Sequence, residues 1–206
     1  IGRSLRPALP EGSGEAVFDF LFATVLRRRL MRQRGWADPK SVYLDNVAMR
    51  YEAGSEISPR GHGPEASEEE RAFRAAHHDM IQIGARHADW WAMYRRAVDT
   101  ASCMIVVLTD AWLDSIRNTG KEFLAAEERA TANAAFKRIA IKPAPSQGTS
   151  AAASIFAGNG WEVLSTSRVT NHQGSLAGAP DSAEISAHEG AWTIPENDLS
   201  RLLARI

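Results

Sequence analysis

Short apolar runs along this chain alternate with longer stretches that carry apolar residues at helical spacing. Each short run is bounded by polar or turn-forming residues, which is typical of a strand buried on both faces. The predicted strands are 41–44, 104–108, 138–141 and 161–164. The predicted helices are about 14–34, 68–84, 89–101 and 120–134, a short Ala-rich helix after residue 150, and a last helix within 193–206. Strands that alternate with helices predict an α/β protein with a mainly parallel sheet.

The first predicted helix has clear signals at both ends. Ser13 can cap its N-terminus, and Gly35 supplies a left-handed stop. The arginines in its last two turns complement the negative C-terminal end of the helix dipole. Its first three turns are apolar on nearly all sides, so we expect this helix to be buried on more than one side.

Two segments have no regular spacing of apolar residues. Residues 143–150 read PAPSQGTS and predict a turn-rich loop, and residues 165–192 are rich in Ser, Gly, Ala and Asn and predict an irregular excursion. A chain of 206 residues is within the range of one α/β domain, so we expect 1–206 to form a single domain.

Composition narrows the class of protein. The chain is 44% apolar and 24% charged with a formal net charge of −1, which is typical of a globular protein and does not favour nucleic-acid binding. No apolar stretch approaches the roughly 18 residues that span a bilayer, so we expect a cytoplasmic protein without a membrane segment. The single cysteine, Cys103, is expected to be a small buried hydrophobe in its strand. The histidines predict no metal site, because the adjacent His77 and His78 diverge on a helix.

Polar residues with possible chemistry follow the predicted strands. Ligands of open parallel sheets bind beyond the carboxyl ends of the strands. Asp45 follows the first predicted strand, and Trp112 and Ser115 follow the second, shortly before Glu122. The loop 3–14 contains glycines just ahead of the first helix, together with Arg3 and Arg6. This combination predicts a loop that could bind a phosphate group.

These residues resemble the Toll/interleukin-1 receptor (TIR) domain family. The string MIVVLTDAWLDS at 104–115, followed by KEF at 121–123, is similar to that family's apolar strand, its Ser, and a Glu that opens a helix. Three further strings resemble the family's first helix, second strand and fourth strand, in the family's order. They are AVFDFLFATVLRRRL at 16–30, SVYLD at 41–45 and RIAIKP at 138–143. The resemblance covers most of the chain.

The resemblance implies a three-layer, flavodoxin-like fold with a central, mainly parallel sheet flanked by helices, and with a helical insertion at about 58–88. Many TIR domains cleave the nicotinamide–ribose bond of NAD, and Glu122 matches their catalytic glutamate. Asp45, Ser115 and Trp112 would then shape the pocket, while Arg3 and Arg6 would hold the pyrophosphate. NAD is the substrate, and no prosthetic cofactor is implied. The family also implies self-association, here through 46–57, and contacts with other TIR domains.

A single carboxylate is sufficient for this chemistry. Nicotinamide leaves as a neutral base from a cationic precursor, so no general acid is required, and the difficulty is the oxocarbenium-like charge on the ribose. An ionised Glu122 near the ribose hydroxyls would stabilise that charge as it develops.

Three alternatives stay open. Thr119 and Glu122 also form a capping box, in which a first-turn carboxylate is favoured by the helix dipole for structural reasons alone. The second alternative is a TIR module that binds partners without catalysis. It is supported by a departure from the family pattern, because Ile116 and Arg117 occupy the positions after Ser115 where the family has a Trp. A nucleoside deoxyribosyltransferase-like enzyme, which also places a Glu near a sugar, is the third.

Overall fold

The computed structural model describes residues 14–43, 72, 75–77, 90–108, 116–142, 147–166 and 193–206. The helices are α1 (Gly14–Arg34), α2 (Trp90–Thr100), α3 (Ile116–Ala132), α4 (Gln147–Gly158) and α5 (Glu196–Leu203). The strands are β1 (Cys103–Val107), β2 (Lys137–Lys142) and β3 (Glu162–Ser165), and a 3-10 helix covers Pro39–Ser41.

The three strands form a parallel sheet in the order β1-β2-β3. Ile105 pairs with Ile139, and Ile141 pairs with Leu164. Helix α3 connects β1 to β2, and α4 connects β2 to β3, so the described chain contains two consecutive βαβ units. The predicted α/β class and parallel sheet are confirmed.

Alternate strand residues face opposite sides of this sheet, and both sides are covered. Met104, Val106 and Ala140 face a cluster contributed by α2, α3 and α4, which we call the front face. Ile105 and Ile139 face a cluster contributed by α1 and α5, which we call the back face. The result is three layers, because a strand that is apolar at every position must be buried on both sides.

Small and aromatic residues fill the front face together. The alanines of α3 and α4 that face the sheet are buried and let both helices approach the strands closely. The remaining space is filled by three rings: Phe156 meets Trp161 edge-on at 4.7 Å, and Phe123 stacks on Trp161 with ring centroids 5.9 Å apart. Such ring pairs add about 0.5–1.5 kcal/mol each beyond their burial.

On the back face, a buried arginine ties α1 to the chain ahead of α5. Arg29 is 3% exposed and donates hydrogen bonds to the Ile194 carbonyl and, at 2.5 Å, to Glu196 Oε2. A buried guanidinium requires such partners, since an uncompensated buried charge is strongly destabilising. These hydrogen bonds hold the start of the C-terminal helix, which runs from Glu196 to Leu203, within the predicted range 193–206.

The prediction of a strand at 41–44 is wrong for its described residues. The Asp38 carboxylate accepts a hydrogen bond from the Lys40 amide at 2.9 Å, and Pro39 begins the 3-10 helix that ends at Ser41. The carbonyl of Val42 accepts a hydrogen bond from Arg27 Nε at 3.0 Å instead of pairing with a strand. The 3-10 helix that begins at Pro39 and the hydrogen bond from the Arg27 side chain therefore replace the strand pairing that the sequence predicted.

The other predicted elements differ mainly at their ends. Helix α1 matches its predicted bounds, and Gly35 has a φ of +64°, the left-handed stop expected there. Helix α3 begins at Ile116 rather than at about 120, and α4 begins at Gln147 inside the predicted loop. The predicted insertion at 58–88, apart from 72 and 75–77, and nearly all of the predicted excursion at 165–192 lie outside the described residues.

A polar network joins α3 to the starts of β2 and β3. Glu127 Oε1 accepts hydrogen bonds from Arg138 Nη1 at 2.5 Å and from Trp161 Nε1 at 2.6 Å. The Arg138 guanidinium also lies over the Trp161 ring, 6.0 Å from its centroid. These charge-assisted bonds are partly buried, so they are stronger than surface pairs.

We predict that Glu127→Gln lowers the free energy of unfolding by about 1–2 kcal/mol, because the neutral amide weakens both bonds to Oε1. Glu128→Gln is the matched control: Glu128 is 65% exposed and pairs only with Arg95 among the described residues, so its loss costs less than about 0.5 kcal/mol. Urea unfolding of both variants measures this. Equal losses in the two variants would contradict a network role for Glu127.

Candidate functional site

All three strands point in the same direction, so their C-terminal ends meet at one end of the sheet, which we call the carboxyl end. Helix α3 returns from this end to the amino end, where β2 begins. The ten residues that follow Glu122 in α3 rise about 15 Å, which matches the roughly 16 Å length of the five-residue strand β1. An ideal helix of this length would bring Glu122 towards the carboxyl end of the sheet, where ligands of such sheets bind. Its neighbour Phe123 packs against Phe156 and against Trp161, which directly precedes β3.

Glu122 is fully buried, with 0% of its surface exposed. It shares the sheet-facing stripe of α3 with Ala125 and Ala126, at the i, i+3 and i+4 spacing of one helix face. Its neighbour Lys121 is exposed. The carboxylate therefore faces the protein interior rather than water.

The capping-box interpretation of Glu122 is wrong. Helix α3 begins at Ile116, so Thr119 lies inside the helix and Glu122 is its seventh residue, in the second turn. A carboxylate at that position cannot cap the helix, and the favourable effect of the helix dipole is confined to the first turn. The early start of α3 removes the structural role that the local spacing suggested.

Glu122 combines full burial with an ionisable side chain. Glutamate is rarely fully buried, and neighbouring Ala125 and Ala126 show that small apolar residues suit this stripe. Ionisable groups placed in costly environments concentrate at functional sites. Glu122 is therefore a candidate for chemistry among the described residues.

The other predicted site residues lie outside the described part of the chain: Asp45, Trp112, Ser115, Arg3 and Arg6, together with the predicted contact segment 46–57. Of the predicted site, the structure thus places Glu122 only.

Sequence reasoning missed a cation–aromatic pair next to Glu122. Lys121 Nζ lies 5.9 Å from the centroid of the Trp91 ring, and this ring stacks on Tyr94 with centroids 5.4 Å apart. The tryptophans at 90–91, together with Tyr94, predicted core packing, and Trp91 does pack, half-buried, against the front-face cluster. Helix α2 leads into the amino end of β1, so the helix begins towards the carboxyl end of the sheet. The position of Trp91 near the start of this helix is the signal that could have indicated the pair.

A separate cavity of about 620 Å³ opens at the opposite, amino end of the sheet, close to the start of β1. It lies between the end of α1, the 3-10 helix, the end of α2 and Cys103. Glu122 is not among the described residues that line this cavity. No sequence pattern indicated the cavity, since its walls come from segments far apart in the chain.

Cys103 lines this cavity and is half-buried rather than fully buried as the sequence predicted. Burial raises the pKa of its thiol from 9.0 to about 11. The thiol is therefore protonated near neutral pH, which is the opposite of an activated nucleophile.

Two features are absent from the part of the chain that the structure describes. No three His, Cys, Asp or Glu side chains come together as a metal ion would require. None of the described helices is long and apolar enough to cross a bilayer.

No family model, no curated protein and no solved structure matches this chain. The resemblance to TIR domains therefore depends on the sequence motifs, and the functional case depends on the geometry around Glu122.

We predict that alkylation of Cys103 at neutral pH is slow and that its rate rises with pH up to about 11. At pH 7, a pKa of about 11 gives a thiolate fraction about 100-fold below that of a thiol with a pKa of 9.0. Since Cys103 is the only cysteine, the mass of the intact chain after timed N-ethylmaleimide treatment reports its rate. A rate that levels off near pH 9 would contradict the raised pKa.

Proposed function

We propose that this chain is a TIR-type NAD glycohydrolase that cleaves the nicotinamide–ribose bond of NAD in the cytoplasm, with Glu122 as its catalytic carboxylate. One observation carries the proposal: Glu122 is fully buried on the sheet-facing side of α3, in the second turn of the helix, where helix capping cannot account for it. NAD is the substrate, and no prosthetic group takes part.

The proposed fold is the flavodoxin-like TIR fold, with residues 58–88 as a helical insertion. In the flavodoxin-like strand order 2-1-3-4-5, the last three strands are consecutive and parallel, as β1, β2 and β3 are here. The covered front and back faces also agree with that fold. The 3-10 helix at Pro39–Ser41 is a departure, because the resemblance assigns 41–45 to the family's second strand.

In the proposed reaction, the C–N bond between ribose and nicotinamide breaks, and its electron pair leaves with nicotinamide, which becomes neutral. The ionised Glu122 carboxylate stabilises the oxocarbenium-like charge on the ribose and orients its hydroxyls. Water then attacks and loses a proton, giving ADP-ribose, whereas attack by the adenine would give a cyclic product. Asp45, Ser115 and Trp112 would line the pocket, and Arg3 and Arg6 would contact the pyrophosphate.

The burial of Glu122 fits an enzyme that becomes active on assembly. A carboxylate with 0% exposure in a single chain cannot meet a substrate until the region around it opens. Self-association through 46–57, or contact with another TIR domain, would supply that opening. Specific activity should therefore rise with protein concentration.

A non-catalytic interaction module is the second candidate, and one observation favours it. Leu124 on α3 and Ile155 on α4 are each 60% exposed, and the two helices are neighbours through the contact of Phe123 with Phe156. Large contiguous apolar patches mark surfaces that bind a partner, and in this candidate function Leu124 and Ile155 would contribute to one.

We predict that concentrated protein releases nicotinamide from NAD and that Glu122→Gln lowers this rate at least about 100-fold, because an amide cannot stabilise the developing charge. Chromatography of the products measures the release and identifies ADP-ribose or its cyclic form. Glu128→Gln, an exposed position in the next turn of α3, is the matched control and should keep full activity.

Urea unfolding of the same variants separates catalysis from structure. We expect Glu122→Gln to unfold in urea in one cooperative transition, as the parent does, so that its lost turnover is measured on a folded protein. A folded Glu122→Gln variant that retains NAD turnover would overturn the proposal. Self-association without turnover at any concentration would favour the interaction module, and turnover of free nucleosides alone would indicate the deoxyribosyltransferase-like alternative.

A further inference from the structure

The cavity at the amino end of the sheet has the size of a ligand pocket. Its volume of about 620 Å³ lies within the range of about 300–1,000 Å³ that holds small organic ligands. Apolar side chains from α1, α2 and β1 form part of its wall: Leu30, Val98, Met104 and Ile105. Glu122 is not among its described lining residues, and the proposed reaction gives the cavity no role.

Aromatic rings form a second part of the wall. Tyr43 and His77 meet edge-on with ring centroids 5.5 Å apart, and His77 is only 4% exposed. Trp36 and Tyr94 also line the cavity, and Tyr94 is held in place by a hydrogen bond from its hydroxyl to Met104 Sδ at 3.7 Å. Several rings around one space favour a flat, aromatic guest.

Two cationic side chains line the cavity. Lys40 and Arg96 line the cavity, and the described lining residues include no Asp or Glu side chain. In the described part of the chain, neither cation has an acidic partner, whereas the adjacent Arg95 pairs with Asp99 and Glu128. Two cations left without carboxylates at the edge of an aromatic pocket favour an anionic ligand.

The wall that carries Lys40 and Tyr43 is held in position. The buried Arg27, which is 4% exposed, donates from Nε to the Val42 carbonyl at 3.0 Å and from Nη2 to the Pro39 carbonyl at 3.3 Å. The Asp38 carboxylate fixes the start of the same turn through the Lys40 amide. A wall fixed from both sides lowers the entropic cost of binding.

We propose that this cavity is a second ligand site that binds a small heteroaromatic molecule with an attached anionic group, as in a nucleoside monophosphate. The ring would lie among Tyr43, His77 and the apolar wall, and the anion would contact Lys40 and Arg96. The site does not depend on NAD cleavage, because it shares no residue with the proposed catalytic site.

Isothermal titration calorimetry with three probes tests the proposed chemistry in the full chain. Adenosine 5′-monophosphate carries both the ring and the anion, adenosine carries only the ring, and ribose 5-phosphate carries only the anion. We expect the monophosphate to bind with a Kd below about 1 mM and at least about tenfold more tightly than either fragment. Lys40→Ala and Arg96→Ala should each weaken it about fivefold or more, whereas the matched control Arg95→Ala, one residue away on α2, should not.

The only thiol of the chain locates the binding. Cys103 lines the cavity, so bound adenosine 5′-monophosphate should slow its alkylation by N-ethylmaleimide, measured at about pH 9, where enough thiolate forms. Glu122→Gln should leave both binding and protection unchanged, which separates this site from the catalytic one. Absence of binding at about 5 mM, equal weakening by Arg95→Ala and Arg96→Ala, or binding without protection of Cys103 would each overturn the proposal.

Discussion

The burial of three parallel strands on both faces is the constraint on which the rest of this structure depends. A parallel ladder forces every connection to cross from one end of the sheet to the other, so α3 and α4 must run back along the front face. The same constraint requires a second helical layer, which α1 and α5 supply on the back face. The height of Glu122 and the position of the amino-end cavity both follow from these crossings.

Stability and function make opposite demands on α3. Its sheet-facing alanines let the helix pack closely, and Glu127 anchors its fourth turn to Arg138 and Trp161. Glu122, five residues earlier on the same helix, places a carboxylate in that packed interface, where the proposed function would require it to meet a substrate.

The sequence predicted an element well where its conformation depends on residues close to it in the chain. The run from Met104 to Leu108 is apolar at every position, and a doubly buried strand was the only simple interpretation, which the structure confirms. Val42 and Tyr43 look equally strand-like, but Asp38, Pro39 and the distant Arg27 decide their conformation. At α3, the residues Asn118, Thr119 and Gly120 resemble a helix start, yet the helix begins earlier, at Ile116. The sequence thus predicted Glu122 in the first turn of its helix, whereas it lies in the second turn, and the cavity lined by Tyr43, His77 and Arg96 was not predictable from any local pattern.

The claim at the centre of this account is that NAD meets the protein at the carboxyl end of the sheet, beside Glu122. Hydrogen–deuterium exchange with an uncleavable carbocyclic analogue of NAD tests it most directly, because it reports where the ligand lies without requiring turnover. The account predicts slower exchange in the first turns of α3, around residues 116–123, with no change in its last turn. Slower exchange only at the amino end, around residues 97–103, or no change anywhere, would contradict it.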